Sequence, residues 1–330
     1  MGKSFPELKK KLKGSVIVQL CPYTEQGNID LDGLKENTRF ILDFAKKGKD
    51  IAILPNGSTG EFYANTVEEQ KQFIKTTVET VAGQLPVIAG VSQAAAGLTI
   101  KMARYAKEVG ADCALIVSPY YNHASEEGMY QYFKTVAEAV DIGIVAYNNP
   151  DVSGTLMPPD LMARLAKIDN IIACKDNSPT AASYFWKAAN IDQDDMVLLN
   201  GLGEVEYLAA AAYGLKYRGF VNTIGNYAPE IPSLVYKAVE SGDFKKAMEV
   251  LSRELPLLKV SSKIANRRES ISVFPEWLRA STTYITIGKY AMNLLGLKGG
   301  AYHPAELPVE DLTAEEKREI KRALQVMHLI

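Results

Sequence analysis

Short apolar runs and amphipathic stretches alternate eight times through the first three quarters of this chain, and that rhythm constrains the fold more than any other feature. The apolar runs fall at 15–20, 51–54, 86–90, 113–117, 142–147, 171–175, 196–199 and 217–221. Helical patterns follow them at 32–48, 66–83, 95–109, 125–140, 158–168, 180–190, 204–214 and 228–241. Runs this apolar are covered on both sides, which is the mark of parallel strands joined by helices. Eight such units close naturally into an α/β fold of the (β/α)8 TIM barrel type, for which about 250 residues suffice. The rival is an open doubly wound sheet, which expects a glycine-rich dinucleotide loop after its first strand. None stands there, and Gly201-Leu202-Gly203 has Glu206 where a third glycine would be needed.

After residue 241 the rhythm changes. Segments 243–255, 275–295 and 312–327 read as helices with no strands between them, and 296–311 reads as a turn-rich linker. Pro308 breaks the chain before Thr313-Ala314-Glu315-Glu316, a capping box that opens the last helix. The expected division is an N-terminal extension at 1–13, a catalytic barrel at 14–241 and a C-terminal helical region at 242–330. Lys259, Lys263, Arg267 and Arg268 read as a solvated basic face. A formal net charge of −2 argues against nucleic acid or an anionic membrane as partner. No stretch is apolar enough to span a bilayer, and Lys9, Lys10, Lys11 and Lys13 interrupt any signal-like core, so a cytoplasmic protein is expected. Cys21, Cys113 and Cys174 sit in apolar settings and are expected to be buried thiols. His123, His303 and His328 are too scattered to predict a metal site.

A barrel of this kind works at the carboxyl ends of its strands. Those ends read Asn56-Gly57-Ser58-Thr59-Gly60-Glu61 after strand 2, Ser118-Pro119-Tyr120-Tyr121-Asn122 after strand 4, and Tyr147-Asn148-Asn149-Pro150 after strand 5. Strand 6 ends in Lys175, and strand 7 runs into Asn200-Gly201-Leu202-Gly203-Glu204. A lysine closing the apolar run Ile171-Ile172-Ala173-Cys174 is either solvated at the strand end or buried and partly neutral. In the second case it is a nucleophile toward carbonyls, and its protonated imine is an electron sink that needs no cofactor. Gly57 and Gly60 bracket two hydroxyls, which suits either a tight turn or a nest of amides for an anion. Period-two alternation puts Ala173 and Lys175 on one face and Cys174 on the other.

Taken together, GSTGE, PYYN, YNNP and the strand-terminal lysine of IIACKDN resemble the family of N-acetylneuraminate lyase and dihydrodipicolinate synthase, across roughly residues 14–295. The resemblance implies a Schiff-base lyase of 2-oxo acids with Lys175 forming the imine. It implies Tyr147 as the proton-shuttling tyrosine, Ser58 and Thr59 as the hydroxyl pair beside it, and the Gly57-Ser58-Thr59 amides as the carboxylate holder. Tyr121 matches a tyrosine that a neighbouring subunit inserts, which implies a homotetramer built as a dimer of dimers. Val152, Asn177, Gly201, Glu204 and Val221 are the expected substrate-lining positions. The synthase branch carries an arginine where this chain has Val152, so the main expectation is cleavage or dehydration of a sialate-like or 2-oxo-3-deoxy sugar acid. Gly203 and Asn177 replace an aspartate and a threonine of the sialate branch. The alternatives are 4-hydroxy-tetrahydrodipicolinate synthase, condensing pyruvate with aspartate semialdehyde, and a non-catalytic barrel that binds a keto acid.

Overall fold

A computed structural model of the chain describes residues 3–48, 50–268, 282–301 and 310–330. Eight parallel strands form the expected barrel: β1 (Gly14–Val18), β2 (Ile51–Leu54), β3 (Ile88–Gly90), β4 (Cys113–Val117), β5 (Gly143–Asn148), β6 (Ile171–Asp176), β7 (Val197–Asn200) and β8 (Gly219–Asn222). They are hydrogen-bonded in the order β2-β1-β8-β7-β6-β5-β4-β3. Closure between β2 and β3 rests on one parallel bridge, Ile53 to Val87, where the Ile53 N–H donates to the Pro86 carbonyl at 3.0 Å. Helices such as Leu31–Ala45, Val67–Val81 and Ala96–Val109 return the chain between strands, and their bounds lie within a few residues of the sequence reading.

Strand alternation divides the apolar residues into two cores. Val16, Val18, Leu54, Leu115, Val117, Val145 and Leu199 fill the barrel interior. Their neighbours Ile17, Ile53, Ile116, Ile144 and Leu198 pack outward beneath the helices. A β-bulge interrupts this pattern between β5 and β6, where Ile144 pairs with Ile171 but Val145 pairs with Ala173. Ile172 is the extra residue, and it joins Ala173 in the inner core. From Ala173 onward the alternation is regular, so Cys174 packs outward and Lys175 returns to the interior face. All three cysteines are free and buried, as expected.

The segment before β1 is more than an extension. Residues Phe5–Lys11 form a helix with a Ser4–Glu7 capping box, and Leu8 and Leu12 insert into the inner core at the end opposite the strand carboxyl termini. After β8 come the helices Glu230–Glu240, Phe244–Ser252, Leu255–Arg267, Thr283–Leu294 and Ala314–Val326. The last opens with the expected capping box, Thr313 accepting from the Glu316 N–H. Pro308, His303 and the start of the expected 275–295 helix lie outside the described residues.

Lys259, Lys263 and Arg267 are exposed, as a solvated face requires, whereas Arg268 is half-buried and the reading that ended a helix at 255 needs correcting. Leu255–Arg267 is a helix of its own, and of the four basic residues on it and at its C-cap three are engaged. Lys263 and Arg267 pair with Glu319, while Arg268 donates to the Glu310 and Asp311 carbonyls and to Glu316 at 3.2 Å. The opposite charges they meet come from a helix about fifty residues later, which no local reading could supply. Lys259 is exposed and has no ion-pair partner among the described residues.

The helix Thr283–Leu294 lies over the barrel mouth and is fixed there by a buried ion pair between Lys289 and Glu61. Glu61 takes a left-handed φ of 56° in the turn after β2, and Lys289 also sits 4.4 Å from the centre of the Tyr23 ring. Among the described residues no helix is long and apolar enough to cross a membrane. Removing one partner of a buried ion pair leaves an uncompensated charge, which costs about 3–5 kcal/mol. Lys289→Ala is therefore expected to lower unfolding free energy by about that amount in urea titrations. Lys289→Met combined with Glu61→Leu is expected to recover most of the loss.

Candidate active site

Three lysines are buried in the described chain, and they differ in company. Lys187 is ion-paired with Asp176 at 2.9 Å, and Lys289 is paired with Glu61. Lys175, only 4% exposed, has no carboxylate partner among the described residues; its amine lies 4.0 Å from the centre of the Tyr147 ring. Asp176 is adjacent in sequence but points outward, where it accepts from Asn148, Lys187 and Ser178. The tyrosine ring is worth about 0.5–2 kcal/mol to an ammonium, against several for desolvation. Desolvation wins, and burial lowers the Lys175 pKa to about 7.

Tyr147 is the penultimate residue of β5 and is directly registered with Lys175 on β6. Its hydroxyl accepts from Asn149 Nδ2 at 3.0 Å, and Ser58 is near enough to favour the ionised phenol. Burial pushes the phenol well above its ordinary pKa, so Tyr147 holds its proton and serves as a donor. Asn177 reaches Asn149 at 3.4 Å and leaves its own Oδ1 buried with no partner.

The turn after β2 fits tightly between its neighbours. A Cβ on Gly57 would stand 2.8 Å from Leu54, and one on Gly60 would stand 3.1 Å from the Gln19 carbonyl. The internal hydrogen bonds of the turn run from the Glu61 N–H to the Ser58 carbonyl and from the Phe62 N–H to the Gly57 carbonyl. The Ser58 and Thr59 amides take no part in these bonds. Thr59 Oγ1 lies 3.2 Å from the hydroxyl of Tyr284.

Ser58, Thr59, Tyr147, Val152, Lys175, Asn177, Gly201, Glu204 and Val221 all line one cavity of about 1190 Å³. Gly57 supports the turn from behind. Gly201 is required by clearance, since a Cβ there would meet Asn177 Oδ1 at 1.9 Å and the Lys175 side chain at 3.1 Å. Gly203 takes φ +114°, a conformation that other residues rarely adopt, and its N–H is held by Asn200 at 3.0 Å. Gly57 and Tyr121 are the expected residues that do not line this cavity, and Tyr121 is the one expected to serve a neighbouring copy. It is 92% exposed, has φ +75° and stands outside the cavity of its own chain, because PYYN turns it away while Tyr120 takes the inward place.

Sequence reasoning missed Tyr284 and Glu254, both supplied by the C-terminal helices. Their positions on apolar helix faces gave no signal, since any core tyrosine or buried cap has the same pattern. Glu254 is 5% exposed, and its Oε2 has no hydrogen-bond partner. It faces Glu204, 7% exposed, and burial together with the neighbouring carboxyl pushes its pKa well up. Burial likewise raises that of Glu204. Burial and mutual repulsion thus favour one shared proton over two charges, an arrangement that can act as donor and acceptor together.

A family model described as the dihydrodipicolinate synthetase family matches residues 11–327. A 4-hydroxy-tetrahydrodipicolinate synthase from Archaeoglobus fulgidus is 30% identical over 318 residues, covering 96% of this chain and 99% of that protein. The protein of that name from Dechloromonas aromatica is 34% identical over 250 residues, covering 74% and 82%. The crystal structure of dihydrodipicolinate synthase from Aquifex aeolicus superposes with a TM-score of 0.81 at 30% identity, covering 96% of this chain and 99% of the other.

At pH 7 an ordinary lysine is neutral roughly once in a few thousand, whereas Lys175 is neutral about half the time. Competitive acetylation followed by peptide mapping is expected to give Lys175 a midpoint near 7, with surface lysines near their ordinary value. Between these two values the unfolded chain binds a proton that the native chain does not, so the lysine's contribution to stability rises with pH across that window. Below about pH 7 the penalty is present in full. Lys175→Met is thus expected to raise Tm at pH 6 and to flatten the stability slope between pH 7 and 10.

Proposed function

The chain belongs to the dihydrodipicolinate synthetase family, and from that premise we propose that it is a Schiff-base-forming lyase of 2-oxo acids. The observation that carries this reading is the buried, unpaired Lys175 beside Tyr147 and the Ser58-Thr59 turn. The neutral amine attacks the keto carbon of the substrate while the turn amides hold its carboxylate. Tyr147 protonates the departing hydroxyl, which leaves as water, and the resulting iminium accepts the electron pair released when the neighbouring bond breaks. A non-catalytic barrel would have no use for a lysine held neutral at a stability cost.

Two readings of the second reactant rest on different observations. The cavity favours a hydroxylated 2-oxo acid. Val152 lines it where an arginine would grip a carboxylate, and Lys175 is the one cationic side chain among its described lining residues. Glu204 and Glu254 suit hydroxyl groups and repel a second carboxylate. The names of the relatives favour the condensation of pyruvate with aspartate semialdehyde, and they support that alternative better than the cleavage reading. A homotetramer is part of either reading, supported by the exposed, left-handed Tyr121, which is free to reach a second copy.

Borohydride reduction with pyruvate is expected to leave a pyruvyl adduct on Lys175, found by peptide mass mapping; a folded protein without one would overturn the Schiff-base reading. Steady-state assays with sialic acid, 2-oxo-3-deoxy sugar acids, and pyruvate plus aspartate semialdehyde then separate the two reactants. Turnover is expected on the hydroxylated acids, and efficient condensation with the semialdehyde instead would establish the alternative.

A further inference from the structure

We propose that Tyr284 completes, from within the same chain, the hydroxyl relay that carries protons between Tyr147 and solvent. The inference rests on the Schiff-base reading above and adds a positioning residue to it. Tyr284 stands near the start of the Thr283–Leu294 helix, with its hydroxyl 3.2 Å from Thr59 Oγ1. Thr59 adjoins Ser58, whose side chain is near enough to the Tyr147 hydroxyl to favour its ionised form. All four hydroxyl residues and Lys175 line the same cavity, and Tyr284 is partly exposed, so its oxygen can exchange protons with water.

The geometry is held at more than one point. Two residues beyond Thr59, Glu61 is paired with Lys289 of the same helix that carries Tyr284. That helix also sits close against the barrel, since a Cβ on Gly288 would approach Leu20 to 2.9 Å. The turn and the helix therefore keep a fixed register, as a relay through short hydrogen bonds requires. Tyr147 and Tyr284 are also near enough for charge on one to raise the pKa of the other. That leaves neither phenol free to ionise alone, and a concerted shift of protons avoids the buried phenolate.

The step balances as follows. The iminium of bound pyruvate loses a C3 proton to the Tyr147 oxygen, and the C–H electron pair becomes the enamine double bond. Tyr147 passes its own proton to the Ser58-Thr59 hydroxyls, these pass one to Tyr284, and Tyr284 releases one to water. The products are the enamine and a hydrated proton. Tyr121 sits outside this path in its own chain, 92% exposed.

The test separates imine formation from proton transfer in the full-length protein. Wild type is expected to give the borohydride-trapped Lys175 adduct with pyruvate and to exchange pyruvate C3 hydrogens for deuterium in D2O, followed by NMR. Tyr284→Phe is expected to keep the adduct yield within about twofold while slowing exchange by ~10²-fold, the low end of what positioned acid–base groups contribute. Thr59→Val is expected to slow exchange similarly, and the double variant to lose little more, because both interrupt one path. Tyr121→Phe is expected to slow exchange less than Tyr284→Phe. Exchange in Tyr284→Phe within about twofold of wild type would overturn the proposal, as would a larger loss from Tyr121→Phe. A parallel fall in adduct yield and exchange would assign Tyr284 a purely structural role. Absence of the adduct in wild type would instead remove the Schiff-base reading, and the relay with it.

Discussion

Strand β6 carries a base and an acid side by side, Lys175 and Asp176, and the pleat keeps them apart. Much of the site's chemistry depends on that separation. If the carboxylate shared the interior face, it would hold the ammonium charged and the lysine would be inert at neutral pH. Instead Asp176 faces the helices, where Lys187, Ser178 and Asn148 satisfy it. The interior amine meets an aromatic face and apolar walls, and burial is left unopposed. Electrostatic neutrality is thus achieved pair by pair outside the barrel, so that one residue inside can be left without a partner.

The barrel was readable from the chain because its determinants are local and repeated. Eight apolar runs and their amphipathic returns carry the same signal each time, so an error in one boundary does not disturb the count. The strand-end residues were readable for a related reason. Once the topology is known, the carboxyl end of every strand falls at one rim, and Ser58, Tyr147 and Lys175 are brought together by architecture. What escaped is what depends on distant partners. Arg268 looked like surface charge until Glu316 and the Glu310 and Asp311 carbonyls arrived to receive it. The helical character of Phe5–Lys11 escaped because seven residues with four lysines nearby carry little periodic signal, although Leu8 and Leu12 plug the barrel end.

The C-terminal helices are part of the site. They bring Tyr284 to the hydroxyl turn, Glu254 to Glu204, and Lys289 to Glu61. The sequence placed Glu204 on the working face but had no means of pairing it with Glu254, fifty residues later on a different helix. The names of the relatives speak for the chemistry at the strand-end rim, whereas Val152 and the carboxyl pair describe another part of the cavity lining. Those two regions answer different questions, which is why the relatives and the cavity point to different second reactants.

The bulge at Ile172 has a consequence for how such a site can arise or be lost. It adds one residue to β6 relative to β5, and everything after it inherits the shifted phase. Straightening the bulge with Ile172 retained, so that the rest of the strand slid by one residue into regular alternation, would leave composition and hydropathy unchanged. It would also exchange the inward and outward sets, turning the amine into the helix layer and the aspartate into the cavity. In this architecture the boundary between a reactive lysine and an inert one is a matter of counting parity, which the bulge sets with no change of residue.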